Sequence, residues 1–127
     1  METVIVPPGG GEVVSGGEET DVKVLLDASE LAATWSRYSE GESGPGPHFH
    51  EHHFDCFWVL DGRIVFDAGG RRVEAEAGTF VAVPPHVVHM FRNEGPGEAR
   101  FLNFHAPGMG FAEHLRTGAP FDTVDAG

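Results

Sequence analysis

A chain of 127 residues with 20 acidic and 8 basic side chains has a formal net charge of −12 and the length of one domain with one core. The acidic balance argues against nucleic acid as a partner, because phosphate contacts depend on lysine and arginine. No apolar run reaches the roughly 18 residues of a membrane span, which argues against a membrane. The single cysteine, Cys56, excludes an internal disulfide framework, and the first residues lack a secretory signal pattern. We therefore expect a cytoplasmic protein.

Short strands separated by turn signals dominate the rest of the chain. Residues 1–20 are rich in glycine and proline, so we expect a flexible arm in which residues 4–6 could add an edge strand. Alternating or β-branched segments predict strands at residues 21–26, 34–39, 55–60, 63–67, 71–77, 80–84, 87–93 and 99–106. Only GFAEHLRTG, residues 110–118, favours a helix. Eight to ten short strands with turns every roughly 8–12 residues predict an antiparallel sandwich or barrel.

Residues 47–62, PHFHEHHFDCFWVLDG, concentrate the residues that can bind a metal. In a strand, His48 and His50 point to the same face, so both imidazoles could bind one ion at about 2.1 Å. Asp55, at the start of the next strand, could add a carboxylate. His52 and His53 fit a solvated loop better, and replacing either one is expected to have little effect on metal binding.

A further histidine ligand has to come from elsewhere in the chain. The candidates are His86, His89, His105 and His114. His89 is favoured because its β-branched context, VVHMF, predicts a strand in which it points inward with Val87 and Phe91. The alternative is that these histidines are ordinary surface or core residues satisfied by hydrogen bonds.

Two half-motifs in register make the sequence resemble the cupins. The first, G-x5-H-x-H-x4-E-x6-G, is matched by His48, His50, Asp55 (at the glutamate position) and Gly62. The second, G-x5-P-x-G-x2-H-x3-N, is matched by Gly78, Pro84, His89 and Asn93. Fifteen residues separate Gly62 from Gly78, a spacing similar to that of compact cupins. The chain looks most like the single-domain branch described as quercetin-dioxygenase-like.

The resemblance implies an all-β fold, a double-stranded β-helix or jelly roll, with a short C-terminal helix. It implies three parts: an N-terminal arm at 1–20, a cupin domain at 21–116 and a C-terminal tail at 117–127. It also implies a divalent transition metal, one of Fe, Mn, Ni, Zn or Cu, bound by His48, His50, Asp55 and His89. A homodimer is expected by the same resemblance, with residues 4–6 pairing with a partner's sheet edge.

Three positions depart from the cupin pattern. Glu42 stands where the first motif opens with glycine, and His86 replaces the glycine of P-x-G, which puts the turn geometry beside the site in question. Asp55 replaces glutamate and shortens the carboxylate's reach by about 1.5 Å. Either its strand lies closer to the ion, or Asp55 binds through water, or the site consists of three histidines.

The chemistry implied is that of an ion beside an apolar wall. Phe57, Phe91, Phe101 and Asn103 are expected to contact a small molecule in the barrel. His105 could act as a general base, although a wall histidine satisfied by hydrogen bonds is favoured.

Two functions stay open, and the sequence does not decide whether the protein is an enzyme. One is a dioxygenase, isomerase or cyclase acting on a small aromatic or enolisable molecule, and the other is a non-catalytic, metal-dependent small-molecule-binding domain. A third reading is a metal-free structural cupin.

Overall fold

The computed structural model describes residues 1–127 as eleven strands and one helix. The strands are β1 (Glu12–Ser15), β2 (Thr20–Asp27), β3 (Ala32–Tyr38), β4 (His48–Phe49), β5 (Phe54–Asp61), β6 (Arg63–Ala68), β7 (Arg71–Glu76), β8 (Phe80–Val83), β9 (His89–Arg92), β10 (Ala99–Ala106) and β11 (Val124–Asp125), and the helix is α1 (Phe111–Thr117). They form a six-stranded sheet, β1-β2-β3-β10-β5-β8, and a five-stranded sheet, β11-β4-β9-β6-β7. The pairings are antiparallel, which confirms the predicted double-stranded β-helix, with one strand more than the expected maximum of ten.

Strict alternation along β10 determines which side chains enter the barrel. Ala99, Phe101, Asn103 and His105 are buried, and the residues between them are partly exposed. In the pairing with β5, His105 lies opposite Asp55. Alternate residues of both strands face inward. The inward series begins with the pair of His105 and Asp55 at one end of the barrel and continues with apolar side chains toward the other end.

An aromatic core fills the space between the sheets. It comprises Tyr38, Phe57, Val59, Ile64, Phe66, Ala75, Val83, Phe91, Ala99 and Phe101. The Phe57 ring centroid lies 4.8 Å from that of Phe66 and 5.0 Å from that of Phe91. Such offset and edge-on ring pairs add stability beyond the area they bury.

The two ends of the chain differ from what the sequence predicted. The N-terminal edge strand is β1, paired with β2, whereas residues 4–6 form no strand and are exposed. The residues after α1 are not a free tail, because β11 pairs with β4 and the Ala126 amide donates to the Pro47 carbonyl at 2.9 Å. Residues 119–127 are called the strap below. The only helix has seven residues, and none in the chain has the length and apolarity that crossing a membrane requires.

Candidate metal centre

Four buried side chains converge at one end of the barrel, three of them on strands and the fourth, His50, immediately after β4. They are His48, His50, Asp55 and His89, and their ligand atoms all lie within 4.8 Å of one another. Strand pairing explains the convergence, since β4 places His48 directly opposite His89 on β9. The turn after His50 then returns the chain into β5, which begins one residue before Asp55. These are the four residues that the sequence motifs indicated.

Each of the three histidines is fixed in one tautomer by a backbone carbonyl. In His48, Nδ1 lies 2.8 Å from the backbone carbonyl oxygen of Gly46. The corresponding distance is 2.7 Å from His50 to the carbonyl of Asp122, and 2.9 Å from His89 to the carbonyl of Val87. Because a carbonyl can only accept, each Nδ1 carries the proton and each neutral ring keeps its lone pair on Nε2. This arrangement is typical of metal-binding histidines.

The donor set fits a divalent transition metal. The Asp55 Oδ2 atom lies 3.1 Å from His50 Nε2 and 2.9 Å from His89 Nε2. With Nδ1 protonated, the two nitrogens and the carboxylate oxygen are all electron-pair donors and repel one another unless a cation lies among them. Three imidazole nitrogens and one carboxylate oxygen suit iron, nickel, copper or zinc.

Asp55 is held so that one oxygen faces the histidines. The Asn103 side-chain amide donates to Asp55 Oδ1 at 2.6 Å, which leaves Oδ2 for an ion. Burial alone would raise the pKa of Asp55, but the proximity of the imidazoles of His105, His50 and His89 outweighs that effect. The pKa therefore lies well below its usual value, and the carboxylate stays ionised.

His53 is the functional residue that the sequence analysis missed. The expectation of a solvated loop holds for His52, which is exposed, but it is wrong for His53, which is 1% exposed. Its Nδ1 donates to the Asp122 carboxylate at 2.7 Å, and its Nε2 lies 2.8 Å from His105 Nδ1. A signal was present, because His53 shares the inward parity of Asp55 and could have been assigned to the same face.

His105 lies within the polar wall. Its Nε2 lies 3.0 Å from the Asn103 side-chain oxygen, and its ring centroid lies 3.8 Å from that of Phe111. Burial lowers the pKa of His105 to about 3, against the attraction of Asp55. The ring is therefore neutral near pH 7, as a general base must be, but with this pKa it is a weak base.

A cavity of about 570 Å³ opens beside the four residues. Of the four, His48, His50 and Asp55 line the cavity, and His89 does not. Its aromatic lining consists of Tyr38, Phe91, Phe101, Phe111 and Phe121, and its neutral polar lining includes Thr34, Ser36 and Asn103. No lysine or arginine contributes. Phe57, expected at this wall, instead lies in the core at 0% exposure and does not line the cavity.

Comparison with known proteins agrees with this geometry. The family described as Cupin domain matches residues 34–105. The quercetin 2,3-dioxygenase of Bacillus subtilis (strain 168) is 30% identical over 87 residues, which cover 66% of this chain and 25% of that protein. This chain thus aligns with about a quarter of that relative's length.

Two further relatives match over more of their own length. The polyketide synthase CurC of Streptomyces cyaneus is 29% identical over 110 residues, covering 79% of this chain and 69% of that protein. The structure of KdgF from Halomonas sp. superposes with a TM-score of 0.72 at 18% identity, over 84% of this chain and 94% of that one. At that identity, the structural likeness concerns the fold.

Proposed function

Because this chain belongs to the cupin family, we propose that it uses a divalent transition metal to bind a small aromatic or enolisable molecule in its barrel. The observation that carries the proposal is the buried convergence of His48, His50, Asp55 and His89 beside the cavity. When bound, such a metal supplies a Lewis acid and, for iron, nickel or copper, a redox centre.

The cavity's chemistry favours an uncharged ligand. No cationic side chain lines it, whereas Asp55 and Asp125 do, and the chain as a whole has a net charge of −12. An anionic substrate would meet no compensating charge except that of the metal. Aromatic rings on several sides suit a flat ring system, and the hydroxyl groups of Thr34, Ser36 and Tyr38 can hydrogen-bond its oxygens.

The proposed reaction class is oxygenation, isomerisation or cyclisation of such a molecule. Support comes from the relatives, since one is named for the aromatic flavonol quercetin and another for polyketide synthesis. In this chain, Asn103 orients Asp55, and the aromatic lining keeps water from the bound molecule. Among the cavity histidines that are not proposed metal ligands, His105 lies beside Asp55, at 3.6 Å, and is the candidate proton acceptor.

A second candidate, non-catalytic binding, is favoured by one observation. Both ring nitrogens of His105 have partners, at 2.8 Å in His53 and 3.0 Å in Asn103. A base whose two nitrogens are engaged, and whose pKa is near 3, is poorly placed to take a proton from a ligand. Metal-dependent binding without conversion is the function consistent with that arrangement.

The metal is tested first by single substitutions. His48→Ala, His50→Ala and His89→Ala should each lower cobalt(II) or zinc affinity at least about 10-fold, because each removes one metal–nitrogen bond. His52→Ala is the matched control, since His52 is an exposed histidine of the same segment. Wild-type affinity in all three variants would contradict the site, as would an equal loss in the control.

The role of Asp55 is tested by the absorption of the cobalt(II) protein. If Asp55 binds the ion directly, Asp55→Ala changes the d–d bands and weakens binding. Asp55→Glu then reports whether β5 has moved in to suit the shorter side chain, since an overpacked glutamate costs about 1–3 kcal/mol of stability. An unchanged spectrum in the alanine variant means that Asp55 does not bind the ion directly.

Enzyme and binding domain are separated by following the ligand and oxygen together. The metal-loaded protein is mixed with a neutral polyphenol such as a flavonol, while oxygen uptake and the flavonol spectrum are recorded. Conversion that ceases in His89→Ala supports an enzyme. Saturable spectral binding without conversion supports the binding domain, and the absence of both contradicts the proposed ligand class.

Assembly as a homodimer belongs to the same proposal. β8 is an unpaired edge of the six-stranded sheet, and its exposed Phe80 lies near Trp58, with ring centroids 6.3 Å apart. An apolar sheet edge is normally covered by another chain or segment. Light scattering is expected to give the mass of two chains, lost in Phe80→Asp, and the mass of one chain for the wild type contradicts the dimer.

A further inference from the structure

The strap carries one residue whose contacts all lead to the candidate metal centre. Asp122 lies just before β11, and its carboxylate is nearly buried. It accepts hydrogen bonds from the backbone amides of Glu51 at 3.2 Å and His52 at 2.8 Å, and from His53 Nδ1 at 2.7 Å. These contacts fix the turn that joins His50, immediately after β4, to Asp55.

The backbone carbonyl of Asp122 makes a separate contact with a ligand. It lies 2.7 Å from Nδ1 of His50. The other two histidines are oriented locally, because His48 and His89 each bond to the carbonyl two residues earlier in their own segment. His50 alone depends on a segment 72 positions away.

A second path from Asp122 ends on the carboxylate ligand. His53 connects the Asp122 carboxylate to His105, and His105 lies 3.0 Å from Asn103. Asn103 in turn donates to Asp55 at 2.6 Å. The distances along this path are 2.6–3.0 Å and its contacts are buried or partly buried, so the position of Asp55 is coupled to the strap by direct packing through three side chains.

Aromatic packing holds the strap in place over the same residues. The Phe121 ring centroid lies 5.6 Å from that of His50, 5.2 Å from that of His53 and 5.5 Å from that of His105. Phe121 also lines the cavity. The strap is therefore part of the site's wall as well as its support.

We infer that Asp122 is a positioning residue for the metal centre, which orients His50 through its carbonyl and Asp55 through the His53–His105–Asn103 path. The inference rests on the proposed metal-binding function. It places part of the site's geometry in residues 119–127, outside the matched family region at 34–105.

The test compares full-length variants of the strap. Asp122→Ala should lower cobalt(II) affinity about 10-fold and alter the d–d bands, as removal of a ligand-orienting partner does in metal sites. Asp122→Asn retains one acceptor oxygen and should give an intermediate affinity. Asp61→Ala is the matched control, because it also removes one carboxylate but lies at the other end of β5 from Asp55, where it bonds to Arg100 at 2.8 Å.

A metal-free measurement separates this inference from the proposed function. Long-range proton–nitrogen NMR spectra should show the Nδ1–H tautomer of His50 in the wild type and in Asp61→Ala, and a mixture of tautomers in Asp122→Ala. If the wild type binds no cobalt, the proposed function fails, and the tautomer of His50 still decides whether Asp122 positions it. Wild-type affinity, spectrum and tautomer in Asp122→Ala would overturn the inference, and if that variant does not fold, Asp122→Asn is held to the same criteria.

Discussion

The same strands build two halves of the barrel interior, which differ in the interactions that stabilise their buried side chains. On β5, Phe57 and Val59 enter the apolar core, whereas Asp55, the previous inward residue, enters the polar cluster. On β10, Phe101 belongs to the core and His105 to the polar wall. Strand alternation thus determines which residues face inward, but it does not determine which interactions offset the cost of burying them. We call these parts the aromatic half and the histidine half.

The energetics of the two halves differ in kind. Burial of aromatic rings is favourable by itself, because apolar surface leaves water. Burial of imidazoles and a carboxylate costs desolvation, which hydrogen bonds and a cation must offset. The aromatic half should therefore respond mainly to changes in volume, and the histidine half to metal and pH.

The largest expected effect is in the aromatic half. Phe57→Ala should lower the free energy of unfolding by about 3–5 kcal/mol, because it empties a fully buried position that the surrounding rings cannot refill. Urea denaturation of the metal-free protein measures this change. Val13→Ala, at a position 61% exposed, should stay within about 0.5 kcal/mol, and similar losses in both would contradict the contrast.

The next effect belongs to the histidine half and is produced by metal. At a free zinc concentration 100 times its Kd, the free energy of unfolding should rise by about 2.7 kcal/mol, because the ion binds the folded state. Chelation should reverse the rise. His89→Ala should reduce the rise to about 1.4 kcal/mol or less at the same zinc concentration, because its Kd is at least about 10-fold higher, while His52→Ala keeps the full rise. A metal-independent unfolding midpoint would show that the cluster is satisfied by hydrogen bonds alone.

The aromatic half was the more predictable of the two. Two features of the sequence suffice to place Phe57 and Val59 on one face of β5. They are the alternation of side chains along the strand and the hairpin signal Asp61-Gly62 at its end. The four metal-binding candidates were also found, because two motifs put His48, His50 and His89 in register. What alternation could not show is depth, so Phe57 was expected at the cavity wall and lies in the core.

The hydrogen-bonded support of the histidine half was mostly hidden from the sequence. Four adjacent polar residues suggested a solvated loop, although the parity of β5 extends back to His53. Asp122 gave no signal, because two acidic residues in a segment rich in small residues resemble a free tail. Its role arises only from the return of residues 119–127 to β4, a contact between segments some 70 positions apart.

Acid should weaken the histidine half selectively. Burial lowers the pKa of His48, His53 and His105, the last to about 3, whereas each would titrate near 6.5 in the unfolded chain. Below pH 6.5 the unfolded state therefore binds more protons than the folded state, and stability falls as pH falls. For each such histidine, the free energy of unfolding falls by about 1.4 kcal/mol per pH unit between pH 6.5 and the pKa of that histidine in the folded state.

Chelated protein denatured in urea between pH 7 and pH 4 measures this dependence. Replacing His105 with Gln should flatten the slope by about one proton, while Phe80→Ala should leave it unchanged. Stability that rises as the pH falls from 6.5 would mean that the buried histidines are already charged in the folded protein.

The smallest expected effect concerns the turn that leads into His89. His86 occupies the position at which the cupin motif has glycine, and its φ of 68° is in the left-handed region that glycine adopts without a Cβ penalty. The turn is maintained because the His86 amide donates to the His50 carbonyl at 2.7 Å, so the substitution has not changed the geometry that the sequence put in question. His86→Gly and His86→Ala both remove an exposed ring, and they differ only in the Cβ atom. Glycine relieves about 1–2 kcal/mol of left-handed strain but adds about 0.5–1 kcal/mol of unfolded-state entropy, so the glycine variant should be the more stable by up to about 1.5 kcal/mol. Paired thermal unfolding of the two variants checks this order. An alanine variant as stable as the glycine variant would mean that the turn relaxes out of the left-handed region, and zinc affinity should then fall as His89 loses its alignment with His48.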